Sequence, residues 1–209
     1  VDSGRFIPSG RRQMTERTTG MVKASVVNTV IAVLMIIAIL LTACGSEAEQ
    51  EAAAQEPGTF KNGVCLSGDG KFTVSADEER WQSGKSGDAW ELCLIKDSTV
   101  RISFSPADGI TKEMISDFKD TFAGSYVDAL REAYPDIRTT DIREISGEMA
   151  GLGMTMTDST GNYRMNQLLY LVSDGEDGYL ITATFPEDGE PDLKLKQEIM
   201  QVIESFKFI

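Results

Sequence analysis

The longest unbroken apolar run in the chain is the twelve residues from Val30 to Leu41, followed by Thr42, Ala43 and Cys44. A membrane-crossing helix needs roughly 20 apolar residues, whereas the core of an export signal needs only about 7 to 15. The run therefore predicts a hydrophobic signal helix, with Arg11, Arg12, Arg17 and Lys23 as its positive leading end. Val26 and Val27 extend the run behind Asn28 and Thr29, so an uncleaved membrane anchor is the competing reading, and a soluble secreted protein is a further one. Met14 and Met21 are the candidate starts of translation.

From Gly45 to Gly58 no large apolar residue occurs, and glutamate and glutamine alternate with alanine. Such a stretch cannot bury a core, so residues 44–58 read as a flexible acidic linker that holds the folded part of the chain on the order of 20 Å from its anchor. Residues 59–209 then form one domain. Lys71–Ser75, Trp90–Ile95 and Thr99–Phe104 alternate as strands, the last two forming a hairpin around Lys96-Asp97-Ser98 with Val100, Ile102 and Phe104 on one face. The period changes at Thr111. Ile115, Phe118, Phe122, Tyr126, Leu130 and Tyr134 recur at helical spacing until Pro135 stops them, which predicts one long amphipathic helix. Strands are expected again at Thr139–Glu148, Gly153–Thr157, Arg164–Ser173 and Tyr179–Phe185, the last pair turning at Asp174–Gly178. A final helix opening near Pro191 presents Leu195, Ile199, Val202, Ile203 and Phe206 inward. The pattern is α+β, an antiparallel sheet packed by two long helices.

Charge narrows the partners. Five basic and two acidic side chains precede Cys44, so the chain from Cys44 onward holds 15 basic against 31 acidic residues, a formal charge of −16. That charge repels phosphate backbones and excludes nucleic acid as a partner class.

The chain holds no histidine, which removes histidine-dependent triads and the common zinc hydrolase sites. Ser116-Asp117-Phe118-Lys119 matches Ser-x-x-Lys, but it falls inside the long helix with no Lys-Thr-Gly after it. Gly84-Lys85-Ser86 resembles the end of a phosphate loop, yet Glu79 stands where that loop needs glycine, so it reads as an ordinary loop. The acidic runs Asp174, Glu176, Asp177 and Glu187, Asp188, Glu190, Asp192 lack the spacing of a calcium loop and read as solvated turns. Met149, Met154, Met156 and Met165 read as core filler rather than a copper site. Trp81, Trp90 and Tyr163 are candidates for lining a ligand groove, against a core or strand-edge position. No catalytic, cofactor-binding or metal-binding residue is singled out.

Leu41-Thr42-Ala43-Cys44 resembles the lipobox of bacterial prolipoproteins. The resemblance implies cleavage before Cys44, a diacylglyceryl thioether on its sulfur, residues 1–43 as signal peptide and the extracytoplasmic face of a membrane as location. Phe72-Thr73-Val74 leading to Trp81, Ser146-Gly147-Glu148-Met149-Ala150 in a mid-domain strand, Tyr179-Leu180-Ile181-Thr182 and a closing helix ending Ser205-Phe206-Lys207-Phe208 resemble the PsbP-like α/β/α sandwich. That likeness covers most of residues 70–209 and implies a non-enzymatic binding or assembly module with a protein partner in the envelope. A small-molecule or metal-binding accessory lipoprotein of a transporter is the alternative, and an envelope hydrolase the second alternative. With Cys44 lipidated, Cys65 and Cys93 remain as an even pair in an exported domain and are the candidate disulfide, against two free thiols.

Overall fold

The computed structural model describes residues 58–157, 161, 164–187 and 193–209. The expected signal helix, Cys44, the linker as far as residue 57, Tyr163 and Pro191 lie outside the described residues. Two antiparallel sheets organise the domain. A small sheet is built from β1 (Thr59–Lys61), β2 (Val64–Leu66), β3 (Phe72–Ser75) and β11 (Lys207–Phe208), in that order across the sheet. The larger one holds β4 (Trp81–Ser86), β5 (Ala89–Leu94), β6 (Asp97–Pro106), β7 (Arg138–Ser146), β8 (Met149–Thr157), β9 (Arg164–Ser173) and β10 (Gly178–Pro186). Its order is β4-β5-β6-β10-β9-β8-β7. The chain leaves β6, crosses by a helical segment to the far edge, and returns strand by strand until β10 pairs with β6.

Alternation along these strands sorts side chains onto two faces. Trp90, Leu92, Leu94, Ile102, Phe104, Tyr170, Val172, Tyr179 and Ile181 face the small sheet and the helix α3 (Leu193–Glu204), whose Ile199, Val202 and Ile203 enter the same core. Glu198 and Glu204 tie α3 down at both sides of the sheet, Glu198 to Arg80 at 3.0 Å and to the Trp81 indole at 2.8 Å, Glu204 to Arg143 at 3.0 Å. On the opposite face, Leu152, Met154, Leu169 and Leu171 take the helical segment that begins with α1 (Lys112–Ser116).

That segment is where the expected single helix differs. Thr111 caps α1 by accepting the Met114 N–H at 3.2 Å, but the chain then widens into a π-helical stretch, Phe118–Ala123, before α2 (Gly124–Leu130). The physical reason is in the spacing. The inward residues Phe118, Phe122, Tyr126, Leu130 and Tyr134 recur at four-residue steps, and each step overshoots a full α-helical turn by about 40°. A wider turn holds Phe118, Phe122 and Tyr126 in one stack, with ring centroids 5.3 and 5.6 Å apart. All six of the expected inward positions from Ile115 to Tyr134 are buried.

Several smaller expectations need correction. Gly84-Lys85-Ser86 is strand, the edge of the large sheet, not loop. Gly147 and Glu148 form the turn between β7 and β8 rather than lying in a strand. The last helix stops at Glu204, and Lys207–Phe208 is a strand pairing with β3.

The bridge between Cys65 and Cys93 is not formed; both thiols are free. Cys65 is fully buried in the core between the two sheets, and Leu92 and Leu94, the neighbours of Cys93, point into that same core. Period-2 alternation therefore sends Cys93 through to the other face, beside Glu91 and Arg101. Burial pushes the Cys65 thiol up to about 12, so it is protonated and shielded. In the Cys44→Ser protein, a thiol-reactive dye is expected to modify Cys93 under native conditions and Cys65 only on unfolding. Equal rates at the two would refute this placement.

Candidate functional site

At one end of the two-sheet domain converge the start of β3, the β4–β5 turn, the end of β6, the β7–β8 and β9–β10 turns, and β11. Strand alternation delivers an aromatic wedge there. Phe72 from β3 stacks on Phe206 at 4.6 Å and meets Tyr179, Phe104 and Trp90 at 4.8, 5.3 and 5.5 Å; Phe208 completes the group 5.0 Å from Phe206. Such offset and edge contacts add to the burial of apolar area.

A concavity lies on each side of this wedge. The smaller, about 10 Å³, has room for one water and is bounded by Asp69, Phe72, Lys85, Asp88, Trp90, Phe104 and Tyr179, with Gly68 and Pro106. The larger, about 330 Å³, runs between Phe206, Lys207 and Phe208 on one wall and Ser146, Glu148, Met149, Val172 and Asp174 on the other.

The rim is charged and internally paired. Asp69 accepts from the Ser67 hydroxyl at 2.6 Å, the Lys71 N–H at 3.1 Å and the Tyr179 hydroxyl at 3.2 Å. Burial works to raise its pKa, but the Ser67, Lys71 and Tyr179 hydrogen bonds outweigh this and hold the carboxyl below its ordinary value. Tyr179 is pushed up, first by burial and then by the Asp69 charge. Lys71 also reaches Asp177 at 2.7 Å, and Lys112 reaches Glu148 at 3.0 Å. Asp174 closes the β9–β10 turn by accepting the Glu176 and Asp177 N–H groups, and those bonds lower its pKa. The acidic run 174–177 is thus occupied with turn and ion-pair duties. Among the described residues no three Cys, Asp or Glu side chains converge as a cation site.

The depressed Asp69 carboxyl stabilises the fold above pH 3.8, the ordinary aspartate value, and that stability is lost as pH falls through the lower folded value. Asp69→Asn is therefore expected to be less stable than wild type near pH 7, with the difference shrinking in acid. Melting curves across that range check it, and a difference independent of pH would show that charge plays no part.

Of the residues flagged from sequence, Trp90 lines the smaller concavity. Trp81 is a core residue whose indole is satisfied by Glu198. Met149 faces the wedge side of the sheet, whereas Met154, Met156 and Met165 lie on the helix side, so the four are not one cluster. Ser116 and Lys119 are exposed, and the Ser116 hydroxyl donates to the Glu113 carbonyl. Glu187 pairs with Arg164 at 2.9 Å, while Asp188, Glu190 and Asp192 lie outside the described residues. The rest of the wedge was legible only as core positions, because Phe72, Phe104, Tyr179 and Phe206 are far apart in sequence.

No family model and no curated protein matches the sequence. Among solved structures, the Saccharomyces cerevisiae Ran-binding protein Mog1p is similar in fold, at 9% identity and a TM-score of 0.53 over 71% of this chain and 96% of that one. A point mutant of protein Mog1 gives 9% identity and a TM-score of 0.50 over 66% of this chain and 91% of that one. The chain is thus a mixed α+β protein with antiparallel sheets that shares the Mog1-like fold.

Proposed function

We propose that this is a lipid-anchored extracytoplasmic protein whose domain is a non-catalytic binding module, with the aromatic end of the sandwich as its contact surface. Cys44, in the lipobox-like Leu41-Thr42-Ala43-Cys44, is the anchor, and the PsbP-like resemblance supports an assembly role. The observation that carries the reading is the concavity of about 330 Å³ beside the half-buried Phe208, lined by apolar Met149, Val172 and Phe206 and by charged Glu148, Asp174 and Lys207, and backed by the buried rings of the wedge. The Mog1-like fold lends support, since a protein of that fold is named as Ran-binding.

Two measurements test the proposal. Expressed full length in a bacterium, the chain takes up radiolabelled palmitate, and Cys44→Ala does not; an exported chain whose Cys44 sulfur is bare, with the preceding peptide still attached, removes the anchor. The tagged full chain recovers a partner from detergent-solubilised envelope, and Asp88→Lys with Glu148→Lys, both exposed on the rim, lowers recovery severalfold. Unchanged recovery by that variant moves the contact elsewhere, and repeated failure to recover any partner counts against a binding module.

A further inference from the structure

Edge strands differ in how well they are closed to further pairing. The long free edge of the large sheet, β7, carries two bulges against β8, and its Arg143 is drawn back to Asp141 and Glu204. Bulges and inward-turned charges are how proteins block strand addition. The small sheet has two edges among the described residues, β1 and β11, and of these β11, paired with β3 without a bulge, borders the larger concavity.

The ladder shows which backbone groups β11 leaves open. Ile209 donates its N–H to the Lys71 carbonyl, and the register pairs Phe208 with Phe72 and Lys207 with Thr73. On the other side of β3, Ser67 donates to the Phe72 carbonyl. Hydrogen-bonded and non-bonded pairs alternate in an antiparallel ladder, so Thr73 and Lys207 face each other while the N–H and C=O of Phe208 point away from β3. Among the described residues, one residue-length docking unit, a donor and an acceptor, is thus left unpaired at the edge that borders the concavity.

The floor and rim define what could use it. Met149, Val172 and Phe206 are buried and apolar, and Glu148 and Asp174 stand at the mouth. The Lys112–Glu148 pair is about half exposed on both sides, so a basic side chain can compete for that carboxylate at little cost.

Resting on the binding-module reading, the geometry points to β-strand addition: an extended segment of a partner protein pairs one residue with Phe208 and so lengthens the small sheet. The side chain of that residue is apolar and falls on the face of the Phe208 ring, over Met149 and Val172. Basic residues two positions to either side share its face and meet Glu148 and Asp174. A loop or helix of the same composition would offer no paired N–H and C=O to Phe208.

The test uses the full chain in detergent micelles and a fluorescein-labelled peptide, Lys-Thr-Leu-Thr-Lys, acetylated and amidated. Its analogue is methylated on the leucine nitrogen, which removes the donor to the Phe208 carbonyl. The peptide is expected to bind saturably, slow amide exchange at Phe208, and lose about tenfold or more in affinity on methylation, since the bond is lost and the methyl group obstructs the edge. Equal affinity for the two peptides overturns strand addition. So does protection that maps to β1, β4 or β7, or the absence of saturable binding at millimolar peptide. If the peptide fails while envelope recovery still depends on Asp88 and Glu148, only strand addition falls; if that recovery fails as well, the wider reading falls with it.

Discussion

Replacing Phe72 by alanine is expected to cost about 3 to 5 kcal/mol, the range for emptying a fully buried phenylalanine site. Phe72 is 1% exposed and touches four other aromatic rings, Trp90 on β5, Phe104 on β6, Tyr179 on β10 and Phe206 just past α3. Those rings are held by four separate elements, so the hole cannot close by the collapse of one neighbour. For a domain of this size each kcal/mol moves the melting temperature by about 2 to 4 °C, so the expected drop is roughly 6 to 20 °C. Phe72→Leu keeps most of the volume and should lose less than half as much. Thermal unfolding of the two variants decides the matter; alanine and leucine behaving alike would mean that Phe72 is not the keystone of the wedge.

Gly151→Val is expected to destabilise by about 3 kcal/mol, against the direction that strand propensity alone suggests. Valine favours strands over glycine by up to about 1 kcal/mol. A Cβ on Gly151, however, would stand 2.4 Å from Cε1 and 2.5 Å from Cδ1 of Tyr170, its directly paired partner on β9. Tyr170 is 2% exposed, and close packing around a buried ring resists its displacement. Overpacking of this kind costs about 1 to 3 kcal/mol or more and wins over the propensity gain. The mechanism has its own check in a double-mutant cycle. Tyr170→Ala removes the obstructing ring, so the pair of changes should cost clearly less than the sum of the single ones. Strict additivity would place the strain elsewhere.

How far the chain could be read in advance depended on segment length. The hairpin of β5 and β6 was legible because Val100, Ile102 and Phe104 alternate over six residues, and so was β9–β10, with the Asp174–Gly178 turn between them. β1, β2 and β11 were not, since two or three residues show no period. β4 escaped because Gly84, Lys85 and Ser86 have loop composition; an edge strand tolerates them since one side faces no partner. For the site, Trp90 was flagged from its residue type. Phe208 could not be, because its importance lies in backbone groups, which every residue has.

Local spacing alone determined which side of each long strand is buried, where the helical segments lie, and that Ile115 to Tyr134 turn one stripe inward. Only the tertiary structure decided that Cys65 lies in the core between the two sheets while Cys93 points to the far side of the large one, that six aromatic residues form a wedge, and that β11 is left with an open edge. The division has a physical cause. Periodicity reports the contrast between water and core around one segment, whereas strand order and edges arise from pairing between segments far apart in the chain, whose free energy belongs to both partners and is written in neither.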